Sequence, residues 1–265
     1  MSGIPYTWQE GLVILGLVMI LLIAIIILSV IKKIGIGKDF TLALIKGGIQ
    51  LFAVALVLTF LFNYDLWYIP IWLLLGIMAV LGGRTSAKRA SNMPRAFDVT
   101  TPSILLGAGG VLVVLAVTRA MPIERPEFII PLAGMAFGNS MRICSVALER
   151  LIREVRVNRV KVETYLSLGA DSTQALQEIT RMSIRAALIP TVDNLKTLGV
   201  IFIPGAMAGL IIAGTNPLVA AEYQIIVFLM ILSGGLVSSM MVVYLARKRI
   251  LTSSDQIAEW VIKGE

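Results

Sequence analysis

The sequence predicts an all-α, polytopic membrane protein of about seven transmembrane helices, with its N-terminus outside and its C-terminus cytoplasmic. Three observations predict it. Hydrophobic residues make up 57% of the 265 and charged residues only 15%, too little polar surface for a soluble domain of this size. The apolar residues are gathered into runs close to the ~20 that a spanning helix needs. Twenty of the 23 lysines and arginines fall on one side of those runs, which marks that side as cytoplasmic.

The runs lie at 11–31, 42–62, 66–83, 99–118, 129–147, 197–214 and 223–245, the third and sixth being short. The first is too long for a signal peptide, lacks a basic stretch before it and has no small-residue cleavage site after it. Lys32, Lys33 and Lys38 follow the first run, and Arg84, Lys88, Arg89 and Arg95 follow the third. Nine basic residues run from Arg142, near the end of the fifth run, to Lys196, and Arg247, Lys248, Arg249 and Lys263 follow the last. The opposite connections Asn63–Asp65, Met121–Glu127 and Thr215–Glu222 are short, and that side carries Glu10, Asp65, Glu124, Glu127 and Glu222. No internal repeat or soluble domain interrupts the pattern. Residues 1–265 therefore read as a single transmembrane domain, multi-pass in the cell membrane.

Most of the cytoplasmic mass is the segment 148–196, which reads as a helical hairpin. Leu148, Ile152, Val155, Val162 and Leu166 recur at helical spacing, with Glu149/Arg153 and Arg150/Glu154 as i,i+4 pairs on the wet face. This first helix reads as a rod continuing the fifth span. Gly169 breaks it, Asp171 or Ser172 caps the next helix, Gln174–Leu188 forms its body, and Pro190 ends or kinks it. Near the C-terminus, Ser253 and Gln256 have capping-box spacing, and Ile257, Trp260 and Val261 give the helix that would follow an apolar side.

Several function classes are excluded. The net charge of +7 follows from the cytoplasmic basic bias and needs no nucleic acid. There is no GxxxxGK[ST] phosphate loop, and Gly107–Gly110 and Gly234–Gly235 lie inside apolar runs. With no histidine and one cysteine, Cys144, neither a disulfide nor a Cys/His metal or catalytic pair is available. The chain is not expected to be an enzyme.

The hairpin carries the spacing E-x5-G-x9-I in Glu163, Gly169 and Ile179, the layout of the loop through which a transporter permease engages a separate ATPase. The Leu-Pro that usually closes this pattern is replaced by Arg181-Met182, and Ile189-Pro190 comes later. Ser167, Leu168, Ala170 and Arg185 complete the expected coupling set. An amphipathic cytosolic hairpin is the bland alternative.

Candidate pathway residues are the polar and small ones at membrane depth. Gly134, Met135 and Gly138 lead into Asn139 and Met141; Asp193, Asn194, Lys196 and Thr197 lead into Gly205 and Met207. Polar groups there face a partner, water or a pathway. The small-xxx-small spacing of Gly134/Gly138 and Gly205/Gly209 also suits close helix packing, and Asp193 also suits a local pair with Lys196 or Thr197. Gln50 lies deep in the second run; Lys46, one turn from its end, is placed to snorkel. No metal-ligand set is evident, methionine being ordinary membrane filler.

Longer stretches resemble one family. Pro131–Met141, Leu166–Ala170, Ser183–Gly199 and Ile203–Gly214, with Ile49–Leu51 and Asn216–Pro217, are similar to the FetB-type ABC transporter permeases over roughly 40–245. The resemblance implies an integral-membrane permease that exports iron or another metal ion and takes part in metal homeostasis. It would work with a separate P-loop ATPase subunit that holds the ATP and Mg, so this chain would carry no cofactor. Plant relatives are linked to aluminium tolerance, so substrate is the open part. A homodimer follows from the transporter class and the general preference for two-fold symmetry. The alternatives are an ABC permease for an organic solute, a gradient-driven secondary transporter, and a membrane scaffold with no pathway.

Overall fold

The computed structural model describes residues 7–33, 37–62, 68–90, 92–252, 254 and 256–262, with residues 8, 37–39 and 62 described by backbone alone. Asn63–Asp65, Ser253 and Lys263 lie outside the described residues, as does the side chain of Lys38. Among the described residues the regular structure is helical, apart from two isolated bridges, Leu198 with Phe202 and Leu251 with Ile257. The chain divides into two compact units, Met1–Trp67 and Tyr68–Glu265.

The first unit holds α1 (Trp8–Ile31) and α2 (Gly37–Phe62). A capping box opens α1: Thr7 N–H donates to Glu10 Oε2 at 2.7 Å, and Glu10 N–H donates to Thr7 Oγ1. Both helices expose apolar side chains over most of their surface, as lipid-solvated helices do. Lys46 and Gln50 are exposed on α2.

The second unit is built on α3 (Tyr68–Arg89), α4 (Phe97–Ile104), a π-helical turn at Leu105–Gly109, α5 (Gly110–Val117), α6 (Pro126–Val157) and α10 (Pro217–Ile250). Pro126 and Pro217 start α6 and α10, where the missing N–H costs nothing. The two helices run parallel: the rings of Phe128 and Tyr223 lie 6.3 Å apart near their starts, and Gly235 lies against Ile143 further along. The 32 residues of α6 span about 48 Å, well beyond the ~30 Å hydrocarbon core. The rod expected to continue the fifth span is therefore present, and α10 matches it in length.

The closest approaches between these helices are made by small residues set among larger buried side chains such as Ile104, Leu132 and Leu148. Gly82 packs on Met141, Gly83 on Thr101, and Gly107 on Ser238 and Gly234. Ser86, Thr100, Ser103, Ser140 and Ser238 are buried among them. Thr100 donates to the Gly83 carbonyl at 2.8 Å, tying α4 to α3.

The sixth predicted span is corrected. Six described helices are long and apolar enough to cross a bilayer, and 197–214 is not among them. Only α9 (Gly205–Ile212) is helical there. Gly199 takes φ +81° and Pro204 is extended at φ −65°, ψ 144°, so the helix stops at Lys196 and restarts only at Gly205. Because α6 and α10 are parallel, the chain must return between them. It does so through α8 (Ser172–Lys196) and α9, a crossing in two pieces.

Two local expectations also change. Pro190 does not end α8, which runs on to Lys196. The C-terminal helix, α11, is only Glu259–Ile262. Ahead of it the backbone pairs with itself, Thr252 N–H donating to Gln256 C=O and Ala258 N–H to Ile250 C=O, both at 2.8 Å. Ile257, Ala258 and Val261 are buried, so this apolar side is spent inside the protein.

Candidate functional site

At the end of the α6 overhang, the chain breaks at Asn158 and forms α7 (Arg159–Ser167). Gly169 N–H then donates to Leu166 C=O and Ala170 N–H to Tyr165 C=O, each at 3.0 Å, the paired bonds of a Schellman ending. Gly169 has φ +90°, a left-handed conformation that glycine adopts without strain. Asp171 opens α8 with a second capping box, accepting from Thr173 N–H at 2.6 Å and Gln174 N–H at 2.8 Å. These bonds make α7, Gly169 and the start of α8 a stiff elbow. Leu168 stands at its tip, 78% exposed.

The predicted coupling residues divide between this elbow and other places. Ser167, Leu168, Gly169 and Ala170 form the tip, Ser167 Oγ donating to the Thr164 carbonyl at 2.8 Å. Glu163 lies on α7, where Arg159 Nε donates to it at 2.7 Å. Ile179 is buried and braces the α7–α8 joint instead of presenting a surface. Arg185 is off the elbow, about 20 Å along α8 from its cap. Across the joint, Lys161 Nζ meets Glu178 Oε2 at 2.6 Å, and this bond raises the Lys161 pKa above its ordinary 10.5.

A groove of about 980 Å³ runs along α8 against α10. Arg181, Arg185 and Arg247 line it together with Asp193 and Lys196, and Leu188, Val192, Leu236 and Met240 make its apolar stretch. Asp193 and Lys196 form the anticipated i,i+3 pair at 2.9 Å, and Thr197 Oγ1 donates to the Asp193 carbonyl. The other pathway candidates do not join this groove. Asn139 is satisfied within α6, donating to the Met135 carbonyl and accepting from Arg142. Gln50 belongs to the first unit, and Asn194 is exposed at the end of α8.

The glycine expectations are redistributed. Among the described residues a Cβ on Gly134, Gly138, Gly205 or Gly209 would meet nothing within 4 Å, so neither small-residue stripe packs closely on them. The close approaches are at Gly83, Gly107, Gly234 and Gly235, whose partners are distant in sequence.

The residue that sequence reasoning missed is Gln224. It is buried in α10 at 4% exposure, and its Oε1 accepts from Met207 N–H at 3.2 Å. Pro204 leaves α9 with no side-chain cap, so Gln224 satisfies one of the amides that a helix start leaves open. A lone glutamine inside an apolar run was the available signal.

Among the described residues no group of three or more histidine, cysteine, aspartate or glutamate side chains is placed to hold a metal ion.

Known proteins were compared with this chain. A family model described as "Uncharacterised protein family (UPF0014)" matches residues 12–251. The UPF0014 membrane protein STAR2 of Oryza sativa subsp. japonica is 34% identical over 99% of this chain and 93% of its own length. The "Probable iron export permease protein FetB" of Escherichia coli K12 is 34% identical over 94% and 95% of the two chains. Protein ALUMINUM SENSITIVE 3 of Arabidopsis thaliana is 30% identical over 98% and 96%. No solved structure matches. With its helices, its multi-pass apolar pattern and these end-to-end relatives in agreement, the chain is a multi-pass membrane protein and belongs to the UPF0014 family.

Proposed function

We propose that this chain is the permease subunit of an ATP-driven transporter, exporting iron or another metal ion from the cytoplasm. A separate P-loop ATPase binds the ATP and Mg. The observation that carries the reading is the elbow: a doubly capped, rigid knob with an exposed leucine, held beyond the bilayer at the end of the longest helices. Such a knob suits a groove on a partner, and its stiffness suits the transmission of movement. The relative named for iron export supports the metal cargo.

The N-terminus is outside and the elbow cytoplasmic, by the placement of basic residues. Two copies form a two-fold dimer with two ATPases docked on the elbows. The uncovered glycine faces at Gly134/Gly138 and Gly205/Gly209 support a second copy beside them, since small residues favour close backbone approach. ATP binding draws the ATPases together and swings the elbow, and differential affinity for the two states sets which side is open.

The test is purification of the intact chain from its own membranes, with and without Gly169→Val. A P-loop ATPase that accompanies the natural chain and is lost from the variant supports the reading. Its absence from both samples, with the protein monodisperse, would shift the assignment to a gradient-driven transporter.

A further inference from the structure

Charged side chains are costly in hydrocarbon, so exposed arginines on neighbouring helices mark where it ends. Arg84 on α3 follows Gly82, which packs on Met141, the neighbour of Arg142 on α6. Ile143 packs on Gly235 of α10, and α8 lies along α10 with Thr173 against Arg247, so Arg185, twelve residues along α8, comes level with Gly235, twelve residues back along α10. Arg84, Arg142 and Arg185 therefore sit at one level on three helices, all exposed. That level is a headgroup boundary, and it cuts across the α8–α10 groove.

On the wet side of the boundary the groove is basic. Arg181 lies one turn beyond Arg185, and Arg247 closes that end, donating to Thr173 Oγ1 at 3.2 Å. Among the described residues no carboxylate offsets them: Glu178 is held by Lys161, and Asp193, at the far end, is held by Lys196. Arg181 and Arg185 form no ion pair among the described residues. On the other side of the boundary the lining is Leu188, Ile189 and Val192, with Ile189 and Val192 exposed, and this apolar stretch ends at the mutually neutralised pair Asp193–Lys196. A cationic mouth joined to an apolar trough, at headgroup level, has the shape and charge of one molecule.

We propose that this groove binds an anionic phospholipid of the leaflet facing the elbow, its phosphate on Arg181 and Arg185 and an acyl chain along Leu188–Val192. Guanidinium forks suit phosphate oxygens, and the cytoplasmic leaflet supplies anionic lipid. The lipid fills a face that the chain itself leaves open beside its two-piece crossing. The inference does not depend on ATP coupling.

The test uses the full chain, delipidated and returned to bilayer discs of phosphatidylcholine with graded phosphatidylglycerol, read by native mass spectrometry. The natural chain retains phosphatidylglycerol in preference to phosphatidylcholine. Arg181→Gln with Arg185→Gln weakens that retention about tenfold or more, and Val192→Trp, which blocks the trough without changing charge, also releases the lipid. Arg153→Gln, outside the groove, leaves it unchanged. Equal retention of both lipids, or full retention by the double variant, overturns the proposal. So does displacement by inorganic phosphate, which would make this a free-anion site. Disulfide formation between two copies carrying Ile189→Cys in a Cys144→Ser background would assign the groove to a second copy.

Discussion

The Ser238 hydroxyl lies against Gly107, so close that a Cβ on that glycine would stand 1.9 Å from Ser238 Oγ and 2.4 Å from the Gly234 carbonyl oxygen. The contact falls in the π-helical turn of the fourth span, a class of distortion common at functional sites. A methyl group here meets backbone, which cannot swing aside. Gly107→Ala is expected to destabilise the protein by about 1–3 kcal/mol through overpacking. In the detergent-solubilised monomer Gly138→Ala, with open space around it in this chain, should change stability by no more than about 0.5 kcal/mol. Thermal unfolding in detergent compares them. Equal losses would mean that Gly138 packs on something outside this chain.

The elbow depends on a single backbone angle. Valine at position 169 would have to adopt φ +90°, at a cost of about 1–3 kcal/mol, although no neighbouring atom obstructs it. Gly169→Asn, which tolerates the left-handed region, should keep the turn. Proteolysis at the elbow and ATPase co-purification should both separate valine from asparagine, with helix content unchanged by circular dichroism. Two variants behaving alike would remove the turn from the coupling argument.

The Lys161–Glu178 pair gives the elbow a defined pH response. Because the bond raises the Lys161 pKa above 10.5, the stabilisation is fully present below the unfolded value. It is lost as pH rises through the folded value. The joint should thus be insensitive to pH around neutrality and loosen only in alkali, while Lys161→Gln should be loose throughout. Amide exchange across Val162–Glu178 measures this. An alkaline transition that persists in Lys161→Gln would assign the effect elsewhere.

How far the fold was legible depended on the kind of signal. Runs such as 11–31 and 223–245 are spans because lipid rewards apolar length alone, and Gly169 and Asp171 announce their turn and cap by residue type. The run 197–214 misled because Val200, Ile201 and Ile203 are as apolar as any span; backbone at Gly199 and Pro204, not hydropathy, decides that helix. Gly107 and Ser238 are far apart in sequence, so no local pattern reveals their contact. Arg185 shares the elbow's helix yet serves another surface, because about 20 Å of helix separates them. Gln224 is a lone polar residue in an apolar run, and only the packing of α9 against it gives it a partner.

That contact makes a prediction of its own. Gln224→Leu keeps the volume of the side chain nearly constant but leaves the Met207 amide without its acceptor, at a cost of about 1 kcal/mol for a part-buried donor. Irregular backbone at membrane depth survives only where its polar groups are satisfied. Amide exchange at Ala206–Ala208 should accelerate in the variant while α6 is unaffected. Unchanged exchange would show that α9 is held by its apolar face on α10 and not by the cap.

The C-terminal tail ties three elements at the elbow end of the protein. The Arg249 guanidinium donates to the carbonyls of Pro94 at 2.9 Å and Arg95 at 2.7 Å, and its own carbonyl accepts from Trp260 Nε1 at 3.2 Å. Arg156 Nε donates to the Val261 carbonyl at 2.8 Å, fastening α6 to the same tail. Arg95 has φ +52°, an uncommon conformation for a side-chain-bearing residue, and the grip of Arg249 on its carbonyl offsets that strain. Both bonds come from Arg249 Nη1 while Nη2 faces Asp98 at 3.7 Å; the shorter, uncharged side chain of Arg249→Gln cannot keep all three contacts, so the turn before α4 should open more often. Trypsin cleavage after Arg95 in micelles should then accelerate several-fold, roughly the factor expected for losing about 1 kcal/mol of local stability. Arg153→Gln, on the wet face of α6, controls for the loss of a charge. If both variants resist trypsin as the natural chain does, the turn is held by α4 itself and the tail is a passenger.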